Sequence, residues 1–299
     1  MFDVFTELQE AKIAFKEHLS GKELTTYRAG GKVSVVAYPE SVAALKKLVG
    51  IAMETGTKFM PIGMGSNVLI DEKGFDGILI SSIGFRDIGI RGNRITAGSG
   101  VSLKRALEFS VEHDFSAFEE LTGIPASVGG MAKCNAGSFG KEMGDIVASA
   151  TVFDFKTGET QILPRSEIAY AYRSSGKSFS GKFILSVEVE GAHSERVLPL
   201  SRYYRDKRAG LQPGYPSLGS VFKRTPDGIS LGYYIDKAGL KGVRSGGAEI
   251  SDKHAGFIVN RGGGSAGDYI ALKELARETV MRKFGVKAED EIIVIGNNE

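Results

Sequence analysis

Nineteen residues, Thr122–Gly140, constrain this chain more than any other stretch. They read Thr-Gly-Ile-Pro-Ala-Ser-Val-Gly-Gly-Met-Ala-Lys-Cys-Asn-Ala-Gly-Ser-Phe-Gly, with five glycines and Pro125 fixed among them. They show neither strand alternation nor an apolar helical stripe. Glycine is required where backbone takes positive φ or closely approaches another group. A run of Gly, Ser and Asn also offers bare backbone N–H groups, which suit a phosphate. A tight loop buried between two sheets has the same composition, and residue types alone leave both readings open.

A second Gly-rich turn, Gly63-Met-Gly-Ser-Asn67, directly follows the short apolar run Phe59–Ile62. Gly63–Asn67 and Gly123–Gly130 together form two backbone nests suited to a dinucleotide pyrophosphate.

Bulk composition narrows the partners. With 299 residues and 42% hydrophobic content the chain can bury a large core, in two or more domains. Its 38 basic and 36 acidic residues leave a net charge of +2, so no footprint for nucleic acid or a membrane surface is expected. Cys134 is the only cysteine, which excludes an intrachain disulfide and favours a reducing compartment. His18, His113, His193 and His254 lie far apart and give no zinc spacing, so no metal is expected. The first residues are acidic and lack the apolar block of a signal peptide, and no run approaches the roughly 20 apolar residues of a membrane span. A cytoplasmic protein is expected.

Along the chain, residues 1–20 read as an amphipathic helix and Lys32–Tyr38 as a strand. A helix starts after Ser41, a plausible N-cap, with Val42, Leu45, Leu48, Val49, Ala52 and Met53 on its apolar face. Strands are expected at 59–62, from 68, at 78–82 and at 94–97, and a helix at 102–113. Residues 150–155 and 159–163 read as a hairpin, and 183–190 as a strongly alternating strand. Composition shifts near 194, placing a boundary at about 193–200. The last third is expected to hold a strand at 257–260, a helix at 268–284 facing inward with Ile270, Leu272, Leu275, Val280, Met281 and Phe284, and a strand at 291–295.

Three tempting motifs fail. Gly262-Gly-Gly-Ser-Ala-Gly267 satisfies G-x-G-x-x-G, but the acid some 20 residues on (Glu289 or Glu291) precedes a strand instead of ending one, and no further βαβ unit follows. It reads as a turn before the last helix. Ala171–Ser178 has Ala where a P-loop needs its first Gly. The string G-x-S-x-G occurs at Gly228–Gly232 and at Gly263–Gly267, but no His is tied to either Ser. Three polar residues remain: Ser220 in the Gly-flanked turn Pro216–Lys223, Arg173 after Tyr172, and Glu291 near the end. By type alone an ordinary turn hydroxyl, a solvated cation and a surface acid are the simpler readings.

The ordered set of segments adds to this. Thr26–Gly31, Gly63–Asn67, Gly123–Gly130, Asn135–Gly137, Tyr172–Ser175 and Pro216–Lys223 occur in turn. They are followed by Ala238–Gly242, Ser251–Asn260, Phe284-Gly-Val286 and Glu291–Gly296. Each is weak alone; in this order they resemble the UDP-N-acetylenolpyruvoylglucosamine reductase family, from about Thr25 to Gly296. The resemblance implies an α+β protein: a two-subdomain FAD-binding region of the vanillyl-alcohol-oxidase type (1–82 and 83–193), then an α+β substrate-binding domain (194–299). It also implies the family's shorter, type II form. Ala126, Cys134 and Lys223–Pro226 depart from the usual pattern.

By position, Arg173, Ser220 and Glu291 match the family's catalytic trio. FAD is implied at Gly63, Met64, Gly65, Ser66 and Asn67, and at Gly123, Ile124, Pro125, Ser127, Gly129, Gly130, Asn135 and Gly137. NADPH is the implied co-substrate. The implied partner is UDP-N-acetylglucosamine enolpyruvate, reduced to the lactyl ether of UDP-N-acetylmuramate by hydride from FAD and a proton from Ser220. The basic stretch 202–208 fits a diphosphate, so Arg208, Gln212 and Lys223 are the expected substrate contacts; a solvated helix face is the other reading. Glu291 would contribute if protonated. A monomer is expected. A different flavin oxidoreductase of the same superfamily and a non-catalytic nucleotide-sugar binder are the alternatives.

Overall fold

The structure is a computed structural model that describes residues 4–297. It divides into two compact units whose segments interleave along the chain. One comprises residues up to Lys16, Val36–Met64 and Gly77–Lys207; the other comprises Glu17–Val35, Gly65–Asp76 and Arg208 onward. The last division falls at 207/208, later than the composition shift near 194.

In the first unit, a helix covers only Val4–Glu10 of the twenty residues read as helical; the strand Phe15–Ser20 that follows runs across the division at Lys16/Glu17. Residues 1–3 of that span lie outside the described residues. Lys12 explains the early stop: its φ is 55°, and the Ile13 amide reaches back to the Leu8 carbonyl at 3.0 Å, a left-handed helix end. The helix Val42–Glu54 is capped as expected, with Ser41 Oγ accepting from the Ala44 amide at 3.1 Å. Leu45, Leu48, Val49, Ile51 and Ala52 are buried, while Val42 and Met53 of the expected inner face are exposed. Phe59–Ile62 runs parallel to the 78–81 part of the strand Phe75–Ser81, with Phe59 opposite Ile78.

The larger layer of this unit is a five-stranded antiparallel sheet. Its order is Thr160–Pro164, Val147–Asp154, Lys182–Glu190, Arg94–Gly98, Ile88–Arg91. In Lys182–Glu190, Phe183, Ile184 and Leu185 are all buried, and buried and more exposed positions alternate from Leu185 to Glu190, the period-two pattern that made it legible. The helix Leu103–Glu112, capped by Ser102, turns Leu103, Ala106, Leu107 and Phe109 into the core. That core joins Ile95, Val128, Met131, Val152, Val187 and Val189. Inside the Gly-rich run lies a short helix, Val128–Cys134, which the sequence pattern did not reveal.

The second unit is built on a four-stranded antiparallel sheet in the order Ser217–Ser220, Phe257–Asn260, Ala248–Ile250, Arg244–Ser245. Helix Ala266–Phe284 packs beside it, opened by a reciprocal Ser265/Asp268 capping box and closed by left-handed Gly285. Its inner face differs from expectation: Tyr269, Leu272, Lys273, Ala276, Thr279 and Val280 are buried, whereas Leu275, Met281 and Phe284 are exposed. Tyr269 meets Tyr27 edge-on at 4.9 Å between ring centroids, and Lys273 reaches inward to Asp290 at 2.8 Å. Those two contacts select the face that simple apolar counting missed. Gly262–Gly264 is the turn before this helix; Asn260 Oδ1 accepts from the amides of Gly262 and Gly264, each at 3.0 Å. A parallel pair completes the unit: Val68–Ile70 against Ile293–Ile295.

Candidate active site

The turn after Phe59–Ile62 shows why it is rich in glycine. Gly65 has φ 64°, and a Cβ there would run into the Leu24 carbonyl. A Cβ on Gly63 would lie 2.8 Å from Ser127 Oγ. The Gly65 carbonyl accepts from the Thr26 amide at 3.1 Å. Among the described residues, the amides of Met64, Gly65 and Ser66 donate to no protein group. Three consecutive unpaired amides in a left-handed turn form an anion cradle, and this is the observation that fits an FAD pyrophosphate.

Asn67 closes this turn differently. Its Nδ2 donates to the Glu291 carbonyl at 2.9 Å, and its own carbonyl accepts from the Ile293 amide at 2.9 Å.

The second Gly-rich stretch is less bare than its composition suggests. Ile124 donates to Leu121, Ala126 to Ile124, Val128 to Val101 and Gly129 to Ser99. Gly130 donates to Ser127 Oγ at 3.3 Å, capping the helix Val128–Cys134. Among the described residues only the amides of Gly123 and Ser127 donate to no protein group within 123–130, Pro125 having none to give. Gly129 is tight against Ser99, where a Cβ would clash. The close packing of a tight loop is seen at Gly129, while the amides of Gly123 and Ser127 stay open to another acceptor.

The same helix leads to Arg173. Asn135 caps it in the left-handed region, with φ 48° and ψ 52°. Its Nδ2 donates to Glu142 Oε2 at 2.8 Å and to the Ala171 carbonyl at 2.9 Å; its Oδ1 accepts the Gly144 amide at 2.8 Å. Both amide hydrogens of Asn135 are thus engaged within the protein. Arg173 stands in the two-residue turn between Ala171 and Ser174, whose backbones bond each way at 2.9 and 3.0 Å. Its φ is 52°, a conformation that costs a residue with Cβ about 1–2 kcal/mol. Nη1 donates to Glu142 Oε1 at 3.2 Å and Nη2 to the Gly137 carbonyl at 2.8 Å. The guanidinium also lies 5.0 Å over the Tyr172 ring. A Cβ on Gly137 would come within 2.7 Å of Glu142 Cγ and 3.1 Å of Arg173 Nη1, so glycine is needed there for the side chains to pass.

The second unit brings Ser220, Lys223 and Glu291 together. Segments 221–223 and 289–291 run side by side: Glu291 donates its amide to the Val221 carbonyl and Lys223 to the Glu289 carbonyl, both at 2.9 Å, with Phe222 opposite Asp290. Asp290 anchors this strip between Lys273 Nζ at 2.8 Å and Arg277 Nη2 at 2.6 Å. Ser220 follows Gly219, whose φ is 79° and which faces open space. Among the described residues no protein group hydrogen-bonds the Ser220 hydroxyl. Lys223 Nζ is held by Glu289 Oε1 at 2.6 Å. Arg208 Nη1 donates to Gln212 Oε1 at 3.1 Å, and burial lowers the guanidinium from its ordinary value, which leaves it charged at neutral pH.

Glu142 and Asp290 are the functional-looking residues that sequence reasoning passed over. Each is an ordinary acid in a polar run, and only the fold supplies its distant cationic partner. Among the described residues no cluster of three or more His, Cys, Asp or Glu could hold a metal, and no helix is long and apolar enough to cross a membrane.

With that geometry in hand, comparison with known proteins is specific. Residues 212–295 match the family profile described as UDP-N-acetylenolpyruvoylglucosamine reductase, C-terminal domain, and residues 33–164 match an FAD binding domain. The UDP-N-acetylenolpyruvoylglucosamine reductase of Lactobacillus helveticus is 34% identical over 296 residues, covering 98% of this chain and 99% of the relative. That of Geobacillus kaustophilus is 36% identical over 280 residues, 92% of this chain and 91% of the relative. The solved UDP-N-acetylenolpyruvylglucosamine reductase of Thermus caldophilus superposes with a TM-score of 0.80 at 29% identity, over 94% of this chain and 99% of that one. BBE-like 1 of Physcomitrella patens, at 13% identity and TM-score 0.50, shares the fold over 64% of this chain.

Proposed function

The chain belongs to the UDP-N-acetylenolpyruvoylglucosamine reductase family, and on that premise we propose that Arg173, Ser220 and Glu291 carry the chemistry on the sugar. The enzyme is an FAD-dependent, NADPH-consuming oxidoreductase. It reduces the enolpyruvyl group of UDP-N-acetylglucosamine enolpyruvate to the lactyl ether of UDP-N-acetylmuramate, a step in making peptidoglycan precursors. Its FAD-binding region has the vanillyl-alcohol-oxidase type of fold, followed by an α+β substrate-binding part.

FAD, when bound, supplies hydride transfer: two electrons from NADPH pass to the methylene carbon of the enolpyruvyl group. The unpaired amides of Met64, Gly65 and Ser66 would hold its pyrophosphate, with Gly123 and Ser127 as further donors. Asn135 and Gly137, expected at the cofactor, are better read as the frame of Arg173.

Hydride arrival leaves negative charge on the neighbouring carbon and its carboxylate. A preorganised cation aimed at that charge lowers the barrier, and Arg173 qualifies because two acceptors and a strained turn fix its guanidinium. Ser220 Oγ gives its proton to the carbanionic carbon, and the resulting alkoxide is reprotonated from water. Its freedom from protein partners supports that role. Glu291 sits on the strip paired with 221–223 and orients the substrate carboxylate.

The single observation that carries this reading is the pairing of 221–223 with 289–291, which draws Ser220 and Glu291 together from distant parts of the sequence. Arg208, Gln212 and Lys223 are proposed to face the UDP diphosphate. The lone cysteine supports a reducing, cytoplasmic compartment, and a monomer of the family's shorter, type II form completes the proposal.

A spectral titration tests the reading. The purified protein is expected to be yellow, to bleach with NADPH and to recover its colour with the UDP-enolpyruvyl sugar. A protein that bleaches with NADPH yet stays bleached with that sugar would sink the proposal.

A further inference from the structure

We propose that Glu142 is a positioning residue for the reaction with the sugar, its carboxylate fixing the Arg173 guanidinium in the orientation that meets the developing charge. This rests on the role given to Arg173 above.

Three observations carry it. First, the two oxygens of Glu142 are divided: Oε1 accepts from Arg173 Nη1 at 3.2 Å, and Oε2 accepts from Asn135 Nδ2 at 2.8 Å. Second, Asn135 cannot turn its amide around. Its Oδ1 is committed to the Gly144 amide and its Nδ2 also donates to the Ala171 carbonyl, so a donor must face Glu142. Third, the Ala171 bond ties Asn135 to the turn that carries Arg173, so one side chain sets both the carboxylate and the guanidinium.

This arrangement demands acceptors at both ends of residue 142. A carboxylate provides them. A carboxamide would turn its NH2 toward either Arg173 or Asn135, donor against donor, and push one of them away. The contact is worth little to the fold, since a partly exposed ion pair contributes only about 0–1 kcal/mol. Its weight lies in geometry: displacing a charge-stabilising group by roughly 1 Å can cost 100-fold in rate.

The test uses flavin-loaded enzyme and follows the two half-reactions separately by stopped flow. Glu142→Gln is expected to keep its flavin and bleach with NADPH at the wild-type rate, while reoxidation by the UDP-enolpyruvyl sugar slows roughly 10- to 100-fold. In an Arg173→Ala background the same change is expected to add nothing, because the two residues act as one unit. Three results overturn the inference: an equal slowing of both half-reactions, an unchanged reoxidation rate, or a loss that multiplies fully with that of Arg173→Ala. If Arg173→Ala itself leaves reoxidation untouched, the role of Arg173 fails and this inference falls with it; that outcome is distinct from an impaired Arg173→Ala beside a normal Glu142→Gln. Should Glu142→Gln not retain flavin, Glu142→Asp keeps both acceptors on a shorter stem. It is expected to show a smaller loss confined to reoxidation, and a loss in both half-reactions overturns the inference.

Discussion

Asn67 holds Glu291 by its backbone: the Asn67 side-chain amide donates to the Glu291 carbonyl at 2.9 Å, across 224 residues of sequence. The Asn67 carbonyl accepts from Ile293 on the far side of the same acid. The Gly-rich turn 63–67 therefore also fixes the backbone at Glu291, the carboxyl proposed to act on the sugar.

Replacing Asn67 by Ala keeps the turn's backbone and removes that clamp. The loss of one hydrogen bond is expected to lower stability by about 0.5–1.5 kcal/mol, read by urea unfolding of the flavin-loaded protein. Reoxidation by the UDP-sugar is expected to slow more than bleaching by NADPH. Equal slowing in the two would argue that Asn67 serves only the cofactor.

Ser220→Ala isolates the proton transfer. Bleaching by NADPH is expected to be unchanged, while reoxidation drops by roughly 10²–10⁴-fold, the range for loss of a general acid. Stopped-flow absorbance resolves the two phases, and near-normal reoxidation would remove Ser220 from the mechanism.

Arg173→Ala and Arg173→Gly delete the same interactions but differ in backbone. With φ at 52° in the native turn, Gly avoids the penalty that Ala retains. The Gly variant is expected to be the more stable of the two by about 1 kcal/mol, with reoxidation slowed in both. Thermal melting of the pair measures the difference; an Ala variant at least as stable as Gly would mean the turn carries no strain.

Asp268 predicts how acid affects the second unit. The Ser265 amide, and after it the Ser265 and Ser245 hydroxyls and the Gly247 amide, hold its carboxyl below the ordinary carboxylate value. A depressed folded value means the stabilisation is present above the unfolded value, about 3.9, and is lost as pH falls through the folded one. Asp268→Asn should thus melt lower than wild type at pH 7, with the gap closing below about pH 4. A gap independent of pH would show that the cap works without its charge.

Much of the fold was legible because local rules decided it. Ser41 announced its helix, and the alternation of 183–190 marked a central strand. The misreadings share a cause. Lys12 ends the first helix by a left-handed turn that its residue type does not advertise. The helix Val128–Cys134 exists among glycines because Ser127 caps it and Gly129 seats against Ser99. The face of Ala266–Phe284 is chosen by Tyr27 and Asp290, contacts made by remote chain. At the site, glycine turns and their order were readable. Glu142 and Asp290 were not, since their meaning lies in partners brought by tertiary structure.

The parallel pairing of Val68–Ile70 with Ile293–Ile295 has a bearing on how the chain matures. The strand near residue 70 is synthesised early and must wait, unpaired, until almost everything after it has left the ribosome. Long-range pairing of this kind is slow and leaves an exposed edge in the interval. A fragment holding residues 212–295 would lack that partner strand, Tyr27 and the Asn67 clamp together. Expressed alone, the region that matches a separate family profile is an unfinished piece, and its refolding should require the early segments supplied in trans.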